Sequence, residues 1–99
     1  LALVVRIKPR ALNEMHAAAQ WWSQNRPAAP GAIDSDLRDA LSALVEQPSI
    51  GSKVDSARTT QTRRLYLLRT RYFVYYRVKG RFLEVVAFWH SSRGHGPRV

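Results

Sequence analysis

The residues of this chain best suited to chemistry lie in its second half. His90 and Arg93 stand three positions apart, and Arg64 and Arg77 precede them in strand-like runs. An imidazole can take or give a proton near neutral pH. A guanidinium offers a planar, permanently charged fork to phosphate or carboxylate. Together these types suit a cationic pocket for an anion. His90 equally suits a strand-end imidazole bonded to backbone, and each arginine a solvated cross-strand row. Other chemistries lack their residues. The chain has no cysteine, so disulfides, thiolate metal sites and thiol nucleophiles are excluded. His16, His90 and His95 lack metal-ligand spacing, and no metal or cofactor is expected. Gly94-His95-Gly96 lacks the strand–helix context of a phosphate loop, and no Gly-x-Ser-x-Gly elbow occurs. Past residue 50 the only acids are Asp55 and Glu84, too few for a dense carboxylate pair.

The elements that must hold these groups can be read from periodicity. Leu3 to Lys8 reads as a short strand. Pro9 suits a helix's first turn. Leu12, Met15, Ala19 and Trp22 share one face of that helix, leaving Trp21 partly exposed. Asn25-Arg26-Pro27 closes it. A second helix begins between Pro27 and Ala32, carries Ile33, Leu37, Ala40, Leu41 and Leu44 on one face, and stops at Gln47 to Gly51. Ser52 to Thr62 reads as a loop with room for a short strand. Arg64 to Arg69, Tyr72 to Lys79 and Arg81 to His90 are strands with short links, hence antiparallel. Val74, Tyr76 and Val78 share one face of the second of these; Phe73, Tyr75 and Arg77 share the other. Val85 to Trp89 is apolar on both faces, as in an interior strand. The expected fold is α+β, ordered β-α-α-β-β-β. A helical hairpin packs on a twisted, mainly antiparallel sheet that the first strand joins, in one domain over residues 1–99.

Charge is divided unevenly along this frame. The 99 residues carry 16 Lys+Arg and 7 Asp+Glu, a net charge of +9. Residues 1–50 are neutral, and residues 51–99 hold the whole excess. Arginines gathered on one side of the C-terminal hairpins would form a docking surface for something negatively charged. Tyr66, Tyr72, Phe73, Tyr75 and Tyr76 beside them invite base stacking. One face of each strand must meet the helices, however, which makes Tyr76 a core or buried hydrogen-bonding tyrosine. Arg69 and Arg71, bracketing a turn, suit a solvated role. The opening Leu1 to Val5 is too short for a membrane span, so a soluble, cytoplasmic domain is expected.

Several pieces, in order and spacing, resemble the RelE/ParE superfamily of toxins from type II toxin–antitoxin pairs. They are Lys8-Pro9-Arg10-Ala11, Pro48-Ser49-Ile50-Gly51, Arg64-Leu65, Tyr72 to Val78, and Ala87-Phe88-Trp89-His90-Ser91-Ser92-Arg93-Gly94 with Pro97. The resemblance runs from about Val5 to Pro97 and implies the β-α-α-β-β-β fold. It also implies an acidic antitoxin segment that wraps the toxin, in a hetero-oligomer. ParE-like members act on DNA gyrase; RelE-like members enter the ribosome and cut mRNA.

The second activity would be metal-independent, with His90 and Arg93 near the scissile bond and Arg64 or Arg77 over the phosphate. His90 matches a functional histidine of some nuclease members. Here Ser91-Ser92 stand where those members often carry a tyrosine. The loop after the second helix offers only Lys53, Asp55 and Arg58 in place of their glutamate or lysine cluster. The ParE-like reading is therefore favoured. In it Arg64, Arg77, Arg93 and Tyr76 contact target or antitoxin.

Overall fold

A computed structural model of the chain describes residues 2–55 and 61–99. Strand β1 (Val4–Ile7) leads into α1 (Pro9–Asn25) and α2 (Ala32–Glu46). A single 3-10 turn (Pro48–Ile50) precedes β2 (Ser52–Lys53), β3 (Arg63–Leu67), β4 (Tyr72–Lys79) and β5 (Phe82–His90). The five strands form one sheet in the order β1-β5-β4-β3-β2, with β1 parallel to β5 and the remaining pairs antiparallel.

The expected α+β order is present, with two refinements. The stretch from Ser52 contributes a two-residue edge strand on β3, while residues 56–60 of that loop, with Arg58, lie outside the described residues. Strand β3 ends at Leu67 rather than Arg69. There the chain turns, Arg71 N–H donating to the Leu67 carbonyl at 2.7 Å, and Arg71 takes a left-handed φ of 65°. Asp36 of α2 secures this turn: its carboxylate accepts the Thr70 N–H at 3.1 Å and pairs with Arg69 at 3.2 Å.

The helices cover one side of the sheet. Met15, Ile33, Ala40 and Leu44 meet Leu67, Val74, Leu83, Val85 and Phe88, with Trp22 packed at the margin and Trp21 exposed. Burying such aliphatic side chains contributes about 1.5–3 kcal/mol each, which is what holds two short helices against the strands. Glu14 of α1 ties the layers together. It accepts the Phe88 N–H of β5 at 2.9 Å, beyond the point where β1 ends, and is itself held by Arg10.

A β-bulge in β5 sets which side chains face away from the helices. Tyr75 pairs with Ala87 but Tyr76 with Val85, so Val86 is the extra residue. Simple alternation would put Glu84 and Trp89 on opposite faces. The bulge resets the parity, so both lie on the open face with Phe73, Tyr75 and Arg77.

Candidate functional site

The open face begins with a row of rings. Tyr66, Phe73 and Trp89 lie at adjacent register positions of β3, β4 and β5. The rings of Tyr66 and Phe73 are 5.2 Å apart. Arg64, one row along on β3, lays its guanidinium over Phe73 at 4.2 Å and donates to the Tyr75 hydroxyl at 3.2 Å. Arg93, from the tail beyond β5, lies over Trp89 at 3.8 Å. Neither guanidinium has a salt-bridge partner among the described residues. Each is positioned by a ring and remains open to an external anion.

The tail folds back across this face. The Trp89 indole N–H donates to the His95 carbonyl at 2.7 Å, and Arg10 donates to the Arg98 carbonyl at 2.5 Å. Gly96 passes so close to Tyr75 that a Cβ there would lie 3.4 Å from the tyrosine hydroxyl. Tyr75 is consequently only 2% exposed although it faces away from the helices. A shallow depression of about 180 Å³ remains, lined by Phe73, Tyr75, Trp89, His90, Arg93 and neighbouring tail residues.

His90 borders that depression at the end of β5, but in register it pairs with Tyr72 on the helix side of the sheet, and its ring packs edge-on against that tyrosine. Its Nδ1 accepts the Ser92 backbone N–H at 3.0 Å and lies 2.7 Å from the Ser92 hydroxyl. A backbone N–H can only donate, so Nδ1 is the acceptor and the neutral ring carries its proton on Nε2. Burial, then the charges of Arg71 and Arg93, hold the imidazole below its usual titration range.

Arg77 belongs to a different cluster. Glu84, near the start of β5, lies between Arg6 of β1 and Arg77 of β4 in direct register. Arg77 Nε reaches one carboxylate oxygen at 2.9 Å; Arg6 reaches the other at 3.2 Å, with Lys8 at 3.9 Å. The Arg77 hydrogen bond chiefly, with help from Arg6 and Lys8, holds the carboxyl below its ordinary range against the opposing effect of burial. The glutamate side chain is 1% exposed.

Tyr76 faces the helices, not the open side. Its hydroxyl donates to the Pro48 carbonyl at 2.6 Å and accepts the Gly51 N–H at 2.9 Å. Arg63 reinforces the same loop by donating to the carbonyls of Ser49 and Gly51. Thus Arg93 and His90 line one depression, Arg64 stands beside it on Phe73 and Tyr75, and Arg77 and Tyr76 lie apart from it. Arg77 meets Glu84 across the local Gly80 hairpin, but Arg6 and Lys8 join the cluster only through the pairing of β1 with β5, which local spacing does not signal.

This frame can be set against known proteins. Residues 5–94 match the ParE toxin family, described as the ParE toxin of the type II toxin–antitoxin system parDE. The chain belongs to that family. Its fold is similar to that of a chain in the chromosomal ParDE system of P. aeruginosa, at TM-score 0.72 and 16% identity over 90% of this chain and 96% of that one. It is also similar to the YoeB dimer of Staphylococcus aureus (TM-score 0.63, 13% identity, 91% and 98% covered). A chain of the Mycobacterium tuberculosis toxin–antitoxin complex RelBE2 gives TM-score 0.62 and 17% identity, with 91% and 99% covered. No curated protein matches the sequence. For this ParE-family chain, no helix among the described residues is long and apolar enough to cross a membrane.

Proposed function

We propose that this ParE toxin acts on DNA gyrase as a binding poison, without chemistry of its own, and is neutralised by an acidic antitoxin segment. The observation that carries the reading is the family match over residues 5–94. The state of His90 supports it. With Nδ1 engaged by Ser92 and the ring held neutral by burial and nearby arginines, the imidazole offers neither a free lone pair at Nδ1 to act as base nor the extra proton of a strong general acid. Arg64 and Arg93 are the contact residues for target or antitoxin. Arg77 and Tyr76 contribute by shaping the surface from beneath and beside it.

The antitoxin follows from charge. A chain of net +9 attracts an acidic, largely disordered segment that orders as a helix or an added strand, in an assembly with several copies. Association should be fast at low salt and slow as salt rises. An antitoxin whose toxin-binding half is basic would contradict this.

The test is to incubate purified toxin with gyrase, ATP and relaxed plasmid, then denature the enzyme. Linear DNA carrying covalently attached gyrase is expected. Messenger fragments ending in 2′,3′-cyclic phosphate, formed in the presence of ribosomes, would replace this reading with the ribonuclease one. Growth arrest with neither product would overturn both.

A further inference from the structure

The ring row and its two unpaired arginines form a surface whose chemistry is more specific than positive charge. Tyr66, Phe73 and Trp89 occupy equivalent positions on three neighbouring strands. At the usual spacing between strands the row spans about 10 Å. Tyr66, at its outer end, is 40% exposed. Arg64 and Arg93 are stacked on the other two rings; both are exposed, and neither pairs with an acid among the described residues. The acid that β5 presents on this face, Glu84, is already shared by Arg6, Arg77 and Lys8.

We propose that this face binds single-stranded DNA. One base stacks on Tyr66 and another on the Arg64–Phe73 pair, while Arg64 and Arg93 hold phosphates. Rings in a row with guanidinium planes among them match a ligand that alternates flat bases with anionic linkages. An acidic peptide would use the charge and leave the rings idle. Duplex DNA keeps its bases stacked on each other and offers no free π-face to the row. The choice of DNA over RNA rests on the gyrase reading, since a toxin seated on that enzyme meets its DNA; the stacking geometry stands without it.

The experiment is fluorescence anisotropy of a labelled oligo-dT of about twelve nucleotides with the purified chain, at several salt concentrations and with no gyrase present. Binding is expected. Tyr66→Ala should weaken it about fivefold or more, and Tyr66→Phe, which keeps the ring, should not. Arg64→Lys, which keeps the charge but not the plane, should weaken it about threefold or more, and Arg64→Ala should also lower the salt slope by about 0.7. Arg38→Ala removes one charge from the helix layer and should change binding less than about twofold. An Arg38→Ala loss equal to that of Arg64→Ala would mean diffuse attraction only, and would overturn the proposal. So would no binding, or equal binding by Tyr66→Ala with the fold verified by circular dichroism. Oligo-rU bound about tenfold tighter would overturn the assignment to DNA. Because gyrase is absent, failure here leaves the gyrase assay to stand or fall on its own.

Discussion

Tyr75 and Tyr76 are neighbours in sequence and lie on opposite sides of the sheet. Tyr76 is enclosed by the helix side, with its hydroxyl fixed between the Pro48 carbonyl and the Gly51 N–H. Tyr75 is covered by the tail, and its hydroxyl takes a hydrogen bond from Arg64, a residue without an acidic partner among the described residues. The same division separates the arginines. Arg77, Arg6 and Arg69 are committed to carboxylates, while Arg64 and Arg93 rest on rings. One group of polar side chains closes its interactions within the fold and the other leaves them open. The difference predicts which substitutions unfold the protein and which silence it.

The largest effect on stability should come from Glu84→Ala. Removing the carboxylate leaves Arg6, Lys8 and Arg77 crowded together with nothing to neutralise them. The loss should be about 3 kcal/mol, read as a fall in thermal or urea midpoint. Because the folded carboxyl is held below its ordinary range, its contribution is present above the unfolded pKa and disappears as pH falls through the folded one. Wild type should therefore lose stability more steeply in acid than Glu84→Ala. Parallel acid limbs would remove Glu84 from the structural group.

Next come the groups around the 3-10 turn. A Cβ at Gly51 would lie 2.8 Å from the Arg64 carbonyl, so Gly51→Ala forces backbone apart and should cost about 1–3 kcal/mol. Tyr76→Phe leaves the Gly51 N–H without its acceptor and should cost about 1–2 kcal/mol by the same measurements. If Tyr76→Phe were neutral in stability yet abolished toxicity, Tyr76 would move to the functional side of the comparison.

His90 sits between the two groups. Burial and the nearby arginines keep it neutral in the fold, so its contribution is present above the unfolded histidine value and is lost as pH falls through the folded one. A proton NMR titration should place its midpoint below 6.5. A midpoint above that value would contradict the burial and the arginine charges acting on the ring, and would restore His90 as a candidate acid.

The smallest stability effect belongs to the two arginines proposed to meet the target. Arg64→Ala and Arg93→Ala remove surface guanidinium groups that have no ion-pair partner among the described residues, and each should change stability by less than about 0.5–1 kcal/mol.

Much of this arrangement could be read before any coordinates. Pro9, Pro27 and Pro48 marked both ends of the first helix and the end of the second, whose start was bracketed only between Pro27 and Ala32, and the alternation in Tyr72 to Lys79 separated Tyr76 from Tyr75 correctly. Arg64, Arg77 and the ring pair Phe73–Tyr75 do share the open face, as expected. Three features were hidden because they depend on strand order, not spacing. The bulge at Val86 shifts parity without a glycine or proline to mark it. Glu84 finds Arg6 only because β1 returns to pair in parallel with β5. The Tyr66–Phe73–Trp89 row exists only across three strands in register. Local sequence carries local structure well; register between distant strands is a property of the whole sheet.

The most direct test of the division between a closed scaffold and an open face is the gyrase cleavage assay on the Arg64→Ala/Arg93→Ala double variant, with its melting temperature measured alongside. The prediction is a melting curve close to that of wild type together with a loss of trapped linear DNA. A variant that folds normally and traps as much DNA as wild type would contradict the account, because the two open arginines would then have no role at the target.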